Sequence, residues 1–533
     1  MSQDMDQKLR SIFTPEPETV SSKPQDQIGF TDNVEVLKVH PRTSPFSSRI
    51  MANRMMNLKN STPPKVPRTE VPPEVLHAEE PPEVQHAEEP PEAPPPEEPP
   101  EVRRERREKQ RQATEAFNAA RFIVNQEYSF GLNDFQTKLN NNILITGSAG
   151  TGKTTQLLEP NIETAVGTYF ICDPKGQEGK RYRKHLAKKG YKVRQIDFTH
   201  PEKSDGYNPM CYIRNTNDIV RMSRTLTNPE ESYGTKADPF WDHMTTLLLS
   251  AIIGYILEVN RLTPAERLKV TTSEAPLNMD FYTILCLVRE GERTDDCDKT
   301  SDLKIRFKSL RSIRPDSWAC ECFASVDTAP NRTYDSIRST LVAKFTTFDS
   351  VELRQMMARE SFDFKQSVQE KTVVFVTVSD NDRTMDVLVN LFFSQAINVL
   401  CDYADNECEG GRLPIPVRFF LDDFATNCRI DEFPRIISSI RSRAISVVLM
   451  IQAESQLWKG YDEDAKTIIA NCDTYLYLGG NDVQTAASIA ERCDCPLNEI
   501  LYMPIGRCWV FRRGSQPICT ELHLRSYGNE LTI

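Results

Sequence analysis

The stretch Gly147-Ser148-Ala149-Gly150-Thr151-Gly152-Lys153-Thr154-Thr155 decides how the chain is read. Its first eight residues match G-x-x-x-x-G-K-[ST], the pattern of a phosphate-binding loop. The surroundings have the form this pattern requires. Asn142-Ile-Leu-Ile-Thr146 is a short apolar run that predicts a buried strand, and residues 156–165 predict a helix. The glycines let backbone N–H groups turn inward around phosphates, and the helix N-terminus adds partial positive charge. Residues 147–155 are therefore the candidate nucleotide-binding residues. Lys153 would reach the β- and γ-phosphates, and the Thr154 hydroxyl would hold a Mg²⁺ ion.

The chain has 533 residues, enough for two or three domains, and a net charge of −11. Eleven Glu and no Lys or Arg lie between Glu70 and Glu101, which matches the whole imbalance. The remainder is formally neutral, so the overall charge says little about partners and would hide a local basic patch. Fourteen Cys lack the regular spacing of a disulfide framework, which predicts reduced thiols and a cytoplasmic protein. The pairs Cys320/Cys322 and Cys493/Cys495 are C-x-C rather than the wider zinc spacing, so no metal cluster is expected from them. Residues 1–10 are polar, with no apolar signal core behind them. The longest apolar run, 247–257, is too short to span a bilayer and is read as a buried core helix.

Residues 1–112 form an arm. From Pro72 a nine-residue repeat runs PPEVLHAEE, PPEVQHAEE, PPEAPPPEE, then PPEV, over 72–102. Dense Pro and mutually repelling Glu favour extended, disordered chain, either a stiff acidic spacer or a docking arm for a basic partner. The composition then flips to Arg103-Arg-Glu-Arg-Arg-Glu-Lys-Gln-Arg111, which leads into a helix-forming composition over 113–124. That basic segment is either a solvated helix or a contact for an anionic membrane or nucleic acid.

Beyond the loop, Thr168-Tyr-Phe-Ile-Cys172 predicts a second strand ending at Asp173, followed by a helix and the strand 191–197. Strands alternating with helices predict an α/β fold with a mostly parallel sheet, whose ligands sit at the C-terminal strand ends. From 216 to 357 the strand pattern gives way to helices, which predicts an inserted all-α domain. The flanking segments 113–215 and 358–533 would form the nucleotide-binding domain. The basic run 304–314 in the insertion is either a solvated face or a DNA contact.

Strands resume at 372–378, and Val417-Arg-Phe-Phe-Leu-Asp422-Asp423 is an apolar strand ending in two carboxylates. This is the Walker B arrangement: Asp422 would orient Mg²⁺, and Asp423 would polarise the attacking water as general base. Gln452, at the end of the strand 445–451, is placed to sense the γ-phosphate or position that water. Arg441 and Arg443, just before that strand, are candidates for an arginine finger supplied to a neighbouring subunit.

Taken in order, these segments resemble the TraG-like coupling ATPases of type IV secretion and conjugation. The resemblance rests on the 142–154 loop, Asp173-Pro-Lys-Gly176, Tyr207-Asn-Pro209, Asp238-Pro-Phe-Trp241 and Leu421-Asp-Asp-Phe-Ala425. It continues through Ile440-Arg-Ser-Arg443, Ile451-Gln-Ala-Glu-Ser-Gln-Leu457, Ile469-Ala-Asn-Cys-Asp473 and Leu478-Gly-Gly480. It implies a RecA-like ATPase that uses ATP and Mg²⁺ and assembles as a homo-hexamer. Its implied partners are single-stranded DNA, the relaxase or relaxosome, and the secretion channel. Two departures stand out. Many members carry N-terminal transmembrane helices where this chain has the acidic arm, which implies a separate membrane-anchoring partner and peripheral recruitment to the inner face of the cell membrane. The family usually has Asp-Glu where this chain has Asp422-Asp423. Asp sets its carboxylate roughly 1.5 Å further back, about one carbon–carbon bond. Misplacement near 1 Å costs on the order of 100-fold in rate. Two other readings follow: a slowly hydrolysing docking platform for secretion cargo, or a cytosolic DNA translocase of the FtsK/HerA type.

Overall fold

Continuous apolar runs make the middle of one sheet. The computed structural model describes residues 120–227, 239–293 and 300–522, apart from 380, 425 and 427, with scattered positions between 104 and 119. The acidic repeats, most of the basic segment 103–111, Asp238 and Ala425 lie outside the described residues. Strands β1 (Arg121–Ile123) and β2 (Ser129–Gly131) form an antiparallel hairpin. The others are β3 (Ile143–Thr146), β4 (Thr168–Asp173), β5 (Lys192–Asp197), β6 (Thr372–Thr377), β7 (Val417–Leu421) and β8 (Ile445–Ile451), with β9 (Thr474–Tyr477), β10 (Arg507–Arg512) and β11 (Ile518–Glu521) completing the set. These nine form a single sheet in the order β11-β10-β9-β3-β8-β7-β4-β6-β5. All pairings from β9 to β5 are parallel, and β10 and β11 close one edge antiparallel.

Strands β3, β4, β6, β7 and β8 are buried along their whole length, as expected of strands covered on both faces. Phe170, Phe419 and Leu449 point into one apolar core, and Ile145, Phe420 and Met450 into the other. The second core lies under the hairpin, α2 (Glu159–Glu163) and α3 (Gln177–Lys188), which follow the short α1 (Asp134–Thr137).

Between 216 and 358 the described residues contain only helices. They are α4 (Thr216–Thr227), α5 (Pro239–Asn260), α6 (Pro264–Val270), α7 (Phe281–Glu290), α8 (Asp302–Ile313), α9 (Trp318–Asp327), α10 (Asn331–Thr347) and α11 (Val351–Ala358). Their starts carry local signals. Thr263 and Glu266 form a reciprocal capping box, and Asp280, Ser301 and Ser317 each accept an N–H from the first turn. Ile252, Leu285 and Leu341 of these helices belong to the same apolar cluster as Phe170 and Phe419 of the sheet. The helix α12 (Asp386–Glu407) joins that core.

One expectation changes and two are sharpened. The helix-forming composition over 113–124 ends in a strand instead. Phe122 stacks on Phe130 across the hairpin at 5.3 Å, and the Asn161 side chain bonds both the N–H and the C=O of Ile123, so tertiary partners override propensity. The apolar run 247–257 belongs to the 22-residue α5, which with α12 has the length and composition to cross a membrane. More than half of each apolar window is buried within the fold, 56% and 61%. Finally, the basic run on α8 is largely neutralised: Lys304 pairs with Asp327, Arg306 with Glu290 and Arg311 with Glu321.

Candidate nucleotide site

The parallel register carries the loop and the acidic strand end to the same edge of the sheet. Thr146 lies beside Ile451, and Leu421 beside Leu449. Residues 147–152 leave β3 at that edge, and the Gly147 N–H donates to Ile451 O at 3.1 Å. The Ser148 N–H donates to Gly479 O at 3.0 Å, tying the loop to the end of β9. A Cβ on Gly480 would lie 2.7 Å from Ser148 Oγ, so the two turns approach closely there. Gly152 (φ 93°) turns the chain into a π-helical segment, Lys153–Leu158, that runs on into α2. Ala149 and Gly150 form the exposed tip, with Thr151 Oγ1 bonded to Ser148 O at 2.8 Å.

Lys153 is buried, and its ammonium donates to Gly147 O at 2.6 Å and to Ser148 O at 3.3 Å. Burial lowers its pKa, opposed by Asp422 and Asp423. Thr154 Oγ1 donates to Asp422 Oδ2 at 3.2 Å. Burial, then the charge of Asp423, raises Asp422 to about 6, against Lys153 and Thr154. Asp423 sits at φ 49°, a left-handed turn that Asp tolerates better than longer side chains do. Gln452 Nε2 reaches Asp423 Oδ1 at 3.4 Å, and Gln456 Oε1 holds the Gln452 N–H at 2.8 Å.

These contacts fit a triphosphate and a hard cation. A hydroxyl and a carboxylate meet at one point, beside a lysine held among loop carbonyls at the start of a helix. Sequence-predicted residues 147–155, Asp422, Asp423 and Gln452 therefore converge. Arg441 and Arg443 do not join them. They lie before β8, at the opposite end of a seven-residue strand, roughly 23 Å away along its length. Arg443 grips Asp405 through two bonds of 2.7 Å, and Arg441 donates to Asp134 O at 3.1 Å.

Sequence reasoning placed Asp173 at this edge but missed what it holds, and it missed Glu178. Asp173, at the end of β4, accepts N–H groups of Gln177 at 3.1 Å and Gly179 at 3.0 Å, so its carboxylate caps α3. Glu178, in the first turn of α3, is buried with Oε2 lacking any hydrogen bond among the described residues. Burial, then Glu159 and Asp173, pushes its pKa to about 7. Its position one turn beyond a strand end in a nucleotide-binding sheet is the signal that could have found it.

The family model of type IV secretory system conjugative DNA transfer matches residues 101–494. The chain belongs to this family. No curated protein matches it. Among solved structures it is similar to the bacterial conjugative coupling protein TrwBdeltaN70, trigonal form in complex with sulphate. That match has 16% identity and a TM-score of 0.53 and covers 79% of this chain and 93% of that one. It is also similar to the plasmid coupling protein TrwB in complex with the non-hydrolysable ATP analogue ADPNP (17% identity, TM-score 0.51, 74% and 88% covered). A third match is TrwB in complex with ADP and Mg²⁺ (18%, 0.50, 73% and 86%). At this identity the likeness shows the fold: the conjugative-transfer family member has the RecA-like α/β architecture of TrwB.

Proposed function

We propose that the chain is a coupling ATPase of a conjugative type IV secretion system, binding ATP with Mg²⁺ and delivering a relaxase–single-stranded DNA complex to the secretion channel. The observation that carries this is the contact of Thr154 with Asp422, beside Lys153 and with Gln452 on Asp423. The similar TrwB structures bound to ADPNP and to ADP with Mg²⁺ support the reading. Mg²⁺, when bound, would supply charge neutralisation for the phosphates. Residues 147–152 offer backbone N–H groups to the phosphates, and Lys153 adds a positive charge. Thr154 and an ionised Asp422 would hold the cation. Asp423 accepts a proton from water, and Gln452 orients that carboxylate.

In this reading residues 113–215 and 358–533 form the nucleotide-binding domain and 216–357 the cargo-facing insertion. The subunits form a hexamer, and Arg441 or Arg443 completes a neighbour's site. The protein is cytoplasmic and is recruited peripherally to the membrane by a separate partner. A second reading, slow turnover on a docking platform, draws on the short Asp423 in its left-handed turn. The test is ATP hydrolysis with and without single-stranded DNA for wild type, Lys153→Ala and Asp423→Glu. DNA-stimulated turnover that Lys153→Ala abolishes supports the motor. Tight ATP binding with negligible turnover, restored by Asp423→Glu, sinks the motor in favour of the platform.

A further inference from the structure

The helix α3 exposes a row of cations that nothing in the described structure neutralises. Its inner face is Glu178, Gly179, Tyr182 and Leu186, packed on the sheet. Its outer face is Lys180, Arg181, Arg183, Lys184 and Lys188, with Lys189 directly after. Three of these are engaged: Arg181 pairs with Glu159 at 2.7 Å, Arg183 donates to the Gln195 side chain, and Lys189 donates to the Glu163 carbonyl. Lys180, Lys184 and Lys188 have no ion pair among the described residues. They recur at every fourth position, so they form one stripe with charges about 6 Å apart along the axis. The only acidic residue on α3 is the buried Glu178. Like charges at this spacing repel and weaken a helix, so the stripe is unfavourable until an anion meets it. The basic helix α8 shows the alternative, with Lys304, Arg306 and Arg311 each matched by a carboxylate of the fold.

We propose that Lys180, Lys184 and Lys188 bind the phosphodiester backbone of the transferred nucleic-acid strand. Two features select this partner. The apolar side of α3 is buried, Tyr182 at 1% and Leu186 at 0% exposure, so the helix has no apolar face to lay into a bilayer. The stripe carries no aromatic side chain, so it reads backbone charge alone, as sequence-independent phosphate contacts do. The inference rests on the conjugative reading above and adds a surface to it. That surface is coupled to the nucleotide edge. The first turn of α3 hangs on the Asp173 carboxylate at the end of β4, and β4 lies beside β7, which leads into Asp422.

The test is anisotropy of a fluorescein-labelled single strand of about 30 nucleotides titrated with the full chain over a range of salt. K180A/K184A/K188A should bind at least about 10-fold more weakly near 100 mM salt. Its log–log salt slope should be shallower by about 2, three contacts at about 0.7 each. ATP affinity should be unchanged, which reports an intact fold. K180R/K184R/K188R should bind as wild type does, and Arg311→Ala on α8 should change affinity less than about 2-fold. Equal affinity and slope for wild type and the triple alanine variant would overturn the inference while the conjugative reading stands. Failure of the wild type to bind the strand overturns both. Loss of binding to phosphatidylserine-containing vesicles by the triple alanine variant, with strand binding intact, would overturn it in favour of a membrane surface.

Discussion

The two ends of the parallel sheet are built from the same strands and carry opposite electrostatics. At the C-terminal end burial shifts Lys153, Asp422 and Glu178 away from their ordinary titration, and Lys153 and Asp422 only partly restore each other. At the N-terminal end the charges are matched, with Arg412 on Asp134 at 2.8 Å and Arg443 on Asp405 at 2.7 Å. A set of groups left unsatisfied by its own fold is a set arranged for a ligand. A matched set holds chain segments together. Strand direction decides which end is which, because loops leaving parallel strands gather at their C-terminal ends.

The largest effect should come from the unbalanced end. Lys153→Ala should lower ATP turnover by at least about 100-fold, measured as phosphate release, because it removes a charge from the phosphates as negative charge develops. A loss of less than about 10-fold would erase the contrast.

Glu178 sharpens the comparison through pH. Its folded pKa, about 7, exceeds that of the free carboxyl, so the native state keeps the proton longer. Stability from this group is full below about pH 4.5 and is lost as pH rises through 7. The charged and titratable groups facing it are Glu159, Asp173, Arg181 and Asp422. Glu178→Gln should therefore stabilise the chain at pH 8 by on the order of 2 kcal/mol and do little at pH 4.5. Urea unfolding at the two pH values measures the difference, and equal shifts at both would refute this assignment.

Arg418, at the N-terminal side of β7, is the exception within the matched half. It is 1% exposed, burial lowers its pKa, and Nε and Nη2 have no hydrogen bond among the described residues. Replacing such a group by an apolar one of similar size is often stabilising. Arg418→Met should raise stability by about 1–2 kcal/mol in thermal unfolding and leave ATP turnover within about 2-fold. A fall in turnover would tie this half of the sheet to the nucleotide edge. The smallest effect belongs to Arg443→Ala, which removes a partly exposed pair and should cost under about 1 kcal/mol. If the assembled variant loses more than about 10-fold in turnover with ATP affinity intact, Arg443 acts across a subunit boundary and the matched end is functional too.

The buried strands were legible from their residues because each is a mostly apolar run with covered faces, as in Val417-Arg-Phe-Phe-Leu421 and Ile445–Ile451. The hairpin β1–β2 and the antiparallel strands β10 and β11 were not. They are short and partly exposed, and the exposed Ile518 and half-buried Trp509 blur the period that would announce a strand. In the site, the loop and Asp422 were legible because spacing and strand context define them. Glu178 was not, because its surroundings come from α2, β4 and β7 together.

By itself the amino-acid sequence determined the phosphate loop, the acidic strand end, the parallel α/β class and the family resemblance, since each depends on residues close together along the chain. Only the tertiary structure decided which of two basic helices is neutralised, that Arg441 and Arg443 are tied to Asp134 and Asp405, and that Asp423 occupies a left-handed turn. Charge balance and backbone conformation are set by neighbours distant in sequence, and no local pattern encodes who those neighbours are.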